Sequence, residues 1–496
     1  MSRLTQQQRW RRRALKIAET NEAIKASIRR RWTLSDWDAS FPWWRAPSQV
    51  RILIYAEGDL TFNDHLQYVT TLLQSRAFFY VDFLVTTAHR NNANAGASIK
   101  GTKQLDDPEL DIVNRFDEIW LFGFNDSPEL TDFELALLDQ FMSAPKRGGI
   151  LVTGDHADRG KSIGEQIHRA GKMRRYPAPD AVRPIWNNSL VEGPDLNDTF
   201  DADDQSDDVP QTITLELFPT LSLPGFIPFF RPHPVLCGPD GPIDVLPDHQ
   251  HEGEAIAPTI DPGDNEWPRI GDHQEPPVVI ARGRTKESDA GNREFGVLSA
   301  YNGHTVNVGR IVADSSWHHW LTTNLKGIPE SDVYRGFDVS PDGRIALKKI
   351  ETYFFNCGVW LAPPARQREM RIAAWWSILW THQIAELSPA LPLRDLGEQA
   401  ISGLTRHASI CAASDWIFGP DLNPDRLAQT ELAKASDEIS VLQISLEQYL
   451  AGGILRSLMA KIGPSNANLE FPLEAQPDEV IEEAINDGVR AALAKQ

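Results

Sequence analysis

The sequence predicts an α/β protein built on a parallel sheet with helices on both faces. From residue 50 onward, short and almost wholly apolar segments alternate with segments whose apolar residues recur at helical spacing. Strands that are apolar along their whole length are typical of a parallel sheet, because helices cover both of its faces. With 41% hydrophobic residues, the 496-residue chain can bury a large core. The disordered and collagen-like classes are therefore excluded.

The alternation continues from residue 50 to about residue 170. Runs of Val, Ile, Leu and Phe predict the strands, and Leu or Val at every third or fourth position predicts the helices. The predicted strands are 50–56, 78–87, 116–124 and 149–153, and the predicted helices are 63–74 and 130–142. Strand-like sequence returns later, at 277–281, 295–300 and 308–313.

Residues 174–294 interrupt this pattern. The segment is rich in proline and contains an aspartate cluster between residues 195 and 208. We interpret it as a large Pro/Asp-rich insertion that is partly irregular. The cluster lacks the glycine and the bidentate glutamate of a calcium loop, so a solvated acidic loop is the favoured interpretation over a calcium site.

The two ends of the chain differ from the α/β part. Residues 1–32 combine arginines and lysines with a partial apolar stripe, which predicts a basic N-terminal helix. We expect this helix to pack on the protein body or on another subunit, in a homo-oligomer or protein assembly; nucleic acid is a less favoured partner. Residues 363–496 predict a helical C-terminal region, whose Trp375, Trp376 and Trp380 we assign to the core. The central domain is then 50–362.

Charge and cysteine content limit the partners and the compartment. The net charge of -20 repels nucleic acid and anionic membranes. The chain has only three cysteines, an odd number, and no C-x-x-C motif. This predicts neither a disulfide framework nor a thiolate zinc site, and it favours a reducing cytoplasm. No apolar run approaches the roughly 20 residues that a membrane-spanning helix needs.

Polar side chains follow the predicted strands. In an open parallel sheet, ligands bind beyond the carboxyl ends of the strands, so these residues are the candidates for chemistry. Histidine with carboxylate can transfer protons or bind a divalent metal. The predicted catalytic residues are Asp155, His156, Asp314 and His318. The predicted metal ligands are Asp155, His156, His318 and His319. The alternative is that these side chains hydrogen-bond among themselves within a polar crevice.

Two further sequence patterns bear on metal and cofactor binding. His249-Gln250-His251-Glu252 has the His-x-His spacing of a ligand pair, but it lies in a proline-rich loop and is a weaker candidate. The sequence contains neither a Rossmann glycine fingerprint nor a P-loop, so a nucleotide cofactor has no support.

One motif resembles a known family. The segment Gly-Gly-Ile-Leu-Val-Thr-Gly-Asp-His at 148–156 is similar to the strand and elbow of the class I glutamine amidotransferase-like superfamily. It is closest to the trehalose-utilisation-like branch, whose elbow carries a histidine. Four other segments resemble parts of that family in the same order: the strand at 116–121, the His-Pro pair at 233–235, the Gly-Arg strand at 309–314 with His318, and the closing helix at 356–362.

The resemblance implies a flavodoxin-like sheet and a small polar ligand connected with sugar metabolism. It also implies hydrolase or isomerase chemistry assisted by histidine or a metal. The elbow departs from the amidotransferases, because Asp155 and His156 stand where the nucleophilic cysteine would be. Glutaminase activity is therefore excluded, and Cys357, on the closing helix, is expected to be buried. The alternative is a non-catalytic scaffold or interaction component of a multi-protein or nucleic-acid assembly.

Overall fold

The computed structural model describes most of the central domain and parts of the C-terminal region. The described residues are 47–75, 78–123, 129–154, 160–175, 186–187, 210–220, 229–247, 250–251, 254–261, 263–284, 294–330, 335–379, 381, 384, 387–405, 408–419, 446–462 and 477–494. The predicted basic helix at 1–32 and the aspartate cluster at 195–208 lie outside these residues.

A mixed eight-stranded sheet forms the centre of the protein. Its strands are β1 (Ser48–Ala56), β2 (Val81–His89), β3 (Glu118–Phe122), β4 (Gly149–Thr153), β5 (Thr214–Leu215), β6 (Val278–Arg284), β7 (Glu294–Tyr301) and β8 (Ile311–Asp314). The order across the sheet is β2-β1-β3-β4-β8-β7-β6-β5. The first five strands in this order are parallel to one another, whereas β7, β6 and β5 pair in the antiparallel sense.

The α/β class and all seven predicted strands are confirmed, but the wholly parallel arrangement is not. β6 ends at Arg284 and β7 begins at Glu294. A parallel connection needs a crossover of a dozen or more residues, so these two strands can only run antiparallel. Three of the four later strands, β5, β6 and β7, therefore extend the sheet by antiparallel pairing.

Helices cover both faces of the sheet, as predicted. The described helices are α1 (Gln67–Ser75), α2 (Ile112–Arg115), α3 (Asp132–Met142), α4 (Lys161–Gly164), α5 (Thr322–Lys326), α6 (Pro341–Leu361), α7 (Pro364–Leu379), α8 (Leu393–Leu404), α9 (Ile410–Ile417), α10 (Leu446–Ile462) and α11 (Pro477–Leu493). Side chains alternate along β1, so that Ile52 and Ile54 join the core under α1, α6 and α7. Leu53 and Tyr55 join the core under α2, α3 and α4.

The C-terminal helices pack at close range. A Cβ on Gly397 of α8 would lie 1.7 Å from the carbonyl oxygen of Gln448 in α10. A Cβ on Gly453 of α10 would lie 2.3 Å from the carbonyl oxygen of Gly488 in α11. Only glycine allows the helices to approach so closely. Trp375 is buried as predicted, and no helix within the described ranges is long and apolar enough to cross a membrane.

Segment 174–294 is partly built into the sheet. It supplies β5 and β6, and its other described parts form short strand pairs, such as Pro210–Thr212 with Val245–Pro247. The expectation that the chain has no disulfide is wrong. Cys237 of this segment is bonded to Cys411 of α9, with 6.0 Å between the Cα atoms and 174 positions between them in the sequence. Three cysteines can form one disulfide and leave one free thiol. The prediction of a reducing compartment therefore loses the support of the cysteine count.

Candidate functional site

The carboxyl ends of β1, β2, β3, β4 and β8 meet along one edge of the sheet. After β1 the chain adds β2 on one side, and it then returns to add β3 on the other side. Connections therefore leave in opposite directions between β1 and β3, and such a switch point is where α/β proteins bind ligands. We call the edge at this point the carboxyl-edge crevice.

Glu57 lies at the base of this crevice. It follows β1 directly and is fully buried. Its backbone N–H donates to the carbonyl oxygen of Phe122, the last residue of β3, at 3.2 Å. Ser162, in α4, donates its hydroxyl to Oε1 of Glu57 at 2.8 Å. Glu57 is not among the site residues that the sequence predicts.

Two glycines, Gly123 and Gly160, bring the loops after β3 and β4 against each other. A Cβ on Gly123 would lie 2.2 Å from Cα of Gly160, and a Cβ on Gly160 would lie 2.7 Å from the carbonyl oxygen of Thr153. Gly160 also has φ of +83°, which favours glycine. Both flanks of segment 155–159 thus lie at the carboxyl edge. Asp155 and His156 are outside the described residues, so their predicted roles remain predictions.

A strap of residues from Trp317 to Thr322 crosses this edge. The N–H of Trp317 donates to the carbonyl oxygen of Gly154 after β4 at 2.9 Å. The N–H of Thr322 donates to the carbonyl oxygen of His65 in the loop after β1 at 2.7 Å. The strap therefore spans the carboxyl edge from β4 to β1, and β3 ends between these two strands.

His318 lies on the strap and is buried. Its Nδ1 is 3.3 Å from Oδ1 of Asn324, so Nδ1 carries the proton and Nε2 carries the lone pair. The imidazole ring packs against Trp317, with 3.8 Å between ring centroids. Nδ2 of Asn324 is buried and has no hydrogen-bond acceptor in the described part of the chain. His318 thus lies at the predicted edge, and Asn324 is a site residue that the sequence did not reveal.

Asp314 and His319 have a different environment from the predicted one. Both are fully buried, and Oδ1 of Asp314 is 2.7 Å from Nδ1 of His319. Oδ2 of Asp314 accepts hydrogen bonds from Nε1 of Trp320 at 2.9 Å and from the hydroxyl of Tyr353 in α6 at 3.0 Å. Nε2 of His319 is 3.1 Å from the amide nitrogen of Gln211. These contacts make the pair a hydrogen-bond centre within the core, and the predicted catalytic and metal-binding roles remain predictions.

No group of three His, Cys, Asp or Glu side chains within the described ranges could hold a metal ion. Two predicted ligands, Asp155 and His156, lie outside those ranges. The weaker His-x-His candidate also falls there in part, since His249 and Glu252 are not described and the backbone alone is described for His251. The predicted divalent metal therefore remains a prediction.

None of the three cysteines resembles a catalytic thiolate. Cys237 and Cys411 are bonded to each other. Cys357 is fully buried in α6, and burial raises the pKa of its thiol well above the usual range, with the nearby Asp314 carboxylate adding to the rise. A nucleophilic cysteine needs the opposite, an accessible thiol with a lowered pKa.

A cavity of about 970 Å³ lies at the other edge of the sheet, where β4 and β8 begin. We call it the amino-edge cavity. Helices α7 and α9 form its far wall, and Phe218 and Trp360 are among its apolar lining residues. Its lining includes five arginines, namely Arg147, Arg231, Arg310, Arg368 and Arg371. The sequence did not reveal this cavity, because its residues come from distant segments of the chain.

His233 lies in the wall of this cavity and stacks edge-on against Trp360, with 4.7 Å between ring centroids. Burial lowers the pKa of His233 to about 3, and the positive charge of Arg310 contributes to the shift. The imidazole is therefore neutral in the folded protein at any pH near 7.

The low pKa of His233 predicts a loss of stability in acid. The unfolded chain, with a histidine pKa near 6.5, binds more protons than the folded chain between about pH 6.5 and pH 3. Above this window, neutral His233 makes its full contribution to the free energy of unfolding. Within the window, this contribution falls by up to about 1.4 kcal/mol for each unit by which the pH is lowered. In His233→Asn, urea unfolding measured from pH 7 to pH 4 should show a shallower loss. The exposed His273→Asn is the control, and equal slopes in the two variants would contradict the assignment.

Comparison of the chain with models of protein families, with curated proteins and with solved structures finds no match. The resemblance to the amidotransferase-like superfamily therefore rests on the motifs at 116–121, 148–156, 233–235, 309–318 and 356–362. It enters the functional argument as a proposal, beside the geometry of the two edges.

Proposed function

We propose that the protein is an amidotransferase-like α/β protein of the trehalose-utilisation-like type, without glutaminase activity. It binds a small polar, sugar-related ligand in the carboxyl-edge crevice. The observation that carries this proposal is the buried pair of Glu57 and Ser162 at the point where the connections from β1 and β3 diverge. The order β2-β1-β3-β4-β8 of the five parallel strands is that of a flavodoxin-like sheet, which supports the proposed fold family.

The residues of the crevice are suited to hydroxyl groups. A carboxylate such as that of Glu57 accepts hydrogen bonds from a sugar. The side-chain amide of Asn324, which has no acceptor in the described part of the chain, can donate one. Nε2 of His318 is the basic nitrogen, so it can take up a proton from a hydroxyl or a water molecule. These residues support a hydrolase or isomerase reaction that proceeds by acid–base catalysis. The state of the cysteines supports the absence of glutaminase activity.

The proposal is tested by ligand binding to wild-type protein and to Glu57→Gln. Trehalose and glucose are titrated by isothermal calorimetry, and ammonia release from glutamine is measured in parallel. The exchange keeps the shape of the side chain and removes one charge, so affinity for the bound sugar should fall roughly 10- to 100-fold, the usual value of a hydrogen bond to a charged group. No ammonia release above background is expected.

Exposed Glu294→Gln is the matched control and should bind like wild type. Equal affinity of Glu57→Gln and wild type would place the ligand elsewhere. If wild-type protein binds neither sugar, the result favours the alternative of a scaffold or interaction component in an assembly. Ammonia release from glutamine would refute the absence of glutaminase activity.

A further inference from the structure

The charges that line the amino-edge cavity are unevenly compensated. Arg231 is paired with Glu447, and Arg368 and Arg371 share Glu482. Arg147 has no carboxylate partner within the described ranges. Its Nη1 lies 3.4 Å from the amide oxygen of Asn307, and its Nε is buried without a hydrogen-bond acceptor in the described part of the chain.

Arg310 brings a second guanidinium to the same corner. It is only 4% exposed. Its nitrogens donate to the amide oxygen of Asn302 at 2.7 Å, the carbonyl oxygen of Trp360 at 3.0 Å and the carboxylate of Asp415 at 3.2 Å. A guanidinium has five N–H groups, so these three bonds leave donors for a further acceptor. Its carbon lies 4.6 Å from the ring centroid of Trp360, which fixes the plane of the group.

Arg147 and Arg310 adjoin touching backbone, since a Cβ on Gly309 would lie 1.9 Å from the carbonyl oxygen of Gly148. His304 also lines this corner. Its pKa lies well below the usual value, first because the ring is buried and then because of the positive charges of Arg310 and Arg147. Its Nε2 has no hydrogen-bond partner among the described atoms. Glu275 is the nearest remaining carboxylate of the lining, and it accepts hydrogen bonds from Thr305 at 3.0 Å and from His273 at 3.1 Å. Across the described lining, five arginines face the four carboxylates of Glu275, Asp415, Glu447 and Glu482, and Arg147 keeps a donor without a described acceptor.

The rest of the cavity is suited to an apolar body. Phe218, Trp360, Trp416 and Phe418 line it. Its volume of about 970 Å³ is at the upper end of the range for sites that enclose a small organic molecule. Arginine forks bind carboxylates and phosphates through paired hydrogen bonds, which gives both strength and orientation.

We propose that the amino-edge cavity is a second binding site, specific for an organic anion whose carboxylate or phosphate group is bound by Arg147 and Arg310. The apolar body of this ligand lies against Trp360 and Phe218. The site is at the opposite edge of the sheet from the carboxyl-edge crevice, so the inference is independent of the proposed function.

The test is calorimetric titration of the full-length protein with 1-naphthoate, with its uncharged analogue 1-naphthamide and with inorganic phosphate. Naphthoate should bind with one site per chain, and naphthamide should bind at least roughly tenfold more weakly, because only the anion uses the guanidinium donors. Inorganic phosphate should compete with naphthoate, because the two arginines bind the anionic group.

Arg147→Met isolates the corner. Arg147 has no ion pair in the described part of the chain, so its removal leaves no described carboxylate without its partner. Thermal unfolding checks that the variant is folded. Affinity for naphthoate should fall roughly 10- to 100-fold, Arg147→Lys should retain part of it, and the exposed Arg269→Met should bind like wild type. Wild-type affinity in Arg147→Met, equal affinity for naphthamide, or no saturable binding of naphthoate would each overturn the proposal.

Discussion

Replacing Asp314 by alanine is expected to lower the free energy of unfolding by about 3–5 kcal/mol. The carboxylate is fully buried and accepts hydrogen bonds from Trp320 and Tyr353, with Nδ1 of His319 at 2.7 Å. Its removal leaves four buried polar groups without this partner, namely the backbone N–H of Ser316 and the side chains of His319, Trp320 and Tyr353. A buried donor that loses its acceptor costs about 1–3 kcal/mol.

Urea unfolding followed by tryptophan fluorescence measures this effect. Asp314→Asn keeps the shape and one acceptor oxygen, so it should lose less stability than Asp314→Ala. Asp342→Ala, at an exposed position in the first turn of α6, is the control for removal of a carboxylate. An Asp314→Ala protein as stable as wild type would contradict this structural role and would favour the catalytic role that the sequence predicts.

Loss of the bond between Cys237 and Cys411 should also cost about 3–5 kcal/mol of stability. The bond joins residues 174 positions apart, so it closes a long loop and restricts the unfolded chain strongly. It also ties the insertion to α9, next to the amino-edge cavity. The double variant Cys237→Ser with Cys411→Ser should therefore unfold at lower urea concentration than the variant Cys357→Ser, which keeps the bond.

Thiol titration checks the pairing directly. Protein denatured without reductant should have one reactive thiol per chain, that of Cys357, and three after reduction. Three thiols before reduction would contradict the bond. They would also support the cytoplasmic location that the cysteine count favours.

The sequence predicts the parallel half of the sheet well because burial alone dictates it. β1 and β4 are runs of Val, Ile and Leu, and the structure begins and ends them within two residues of the predicted bounds. The antiparallel half depends instead on the length of the connection from β6 to β7. The pairing of Cys237 with Cys411 depends on where two distant segments meet, which no local pattern encodes.

The sequence predicts a site at the carboxyl edge of the sheet, where His318 lies, whereas the hydrogen-bond environment of Asp314 is visible only in the structure. Residues that alternate along a strand face opposite sides of the sheet. Val312 lies in the core with α6, and Asp314, two residues later, must face the same side. This alternation could have separated Asp314 from the crevice. Glu57 was missed because its partner Ser162 is far away in the sequence.

The most direct test of the account is a crystal structure of the protein with the sugar that binds most tightly in the titrations. The account predicts that the sugar lies in the carboxyl-edge crevice, with hydroxyl groups within hydrogen-bond distance of Glu57 or Ser162. A sugar bound in the amino-edge cavity, or a crevice that stays empty at saturating sugar, would contradict it.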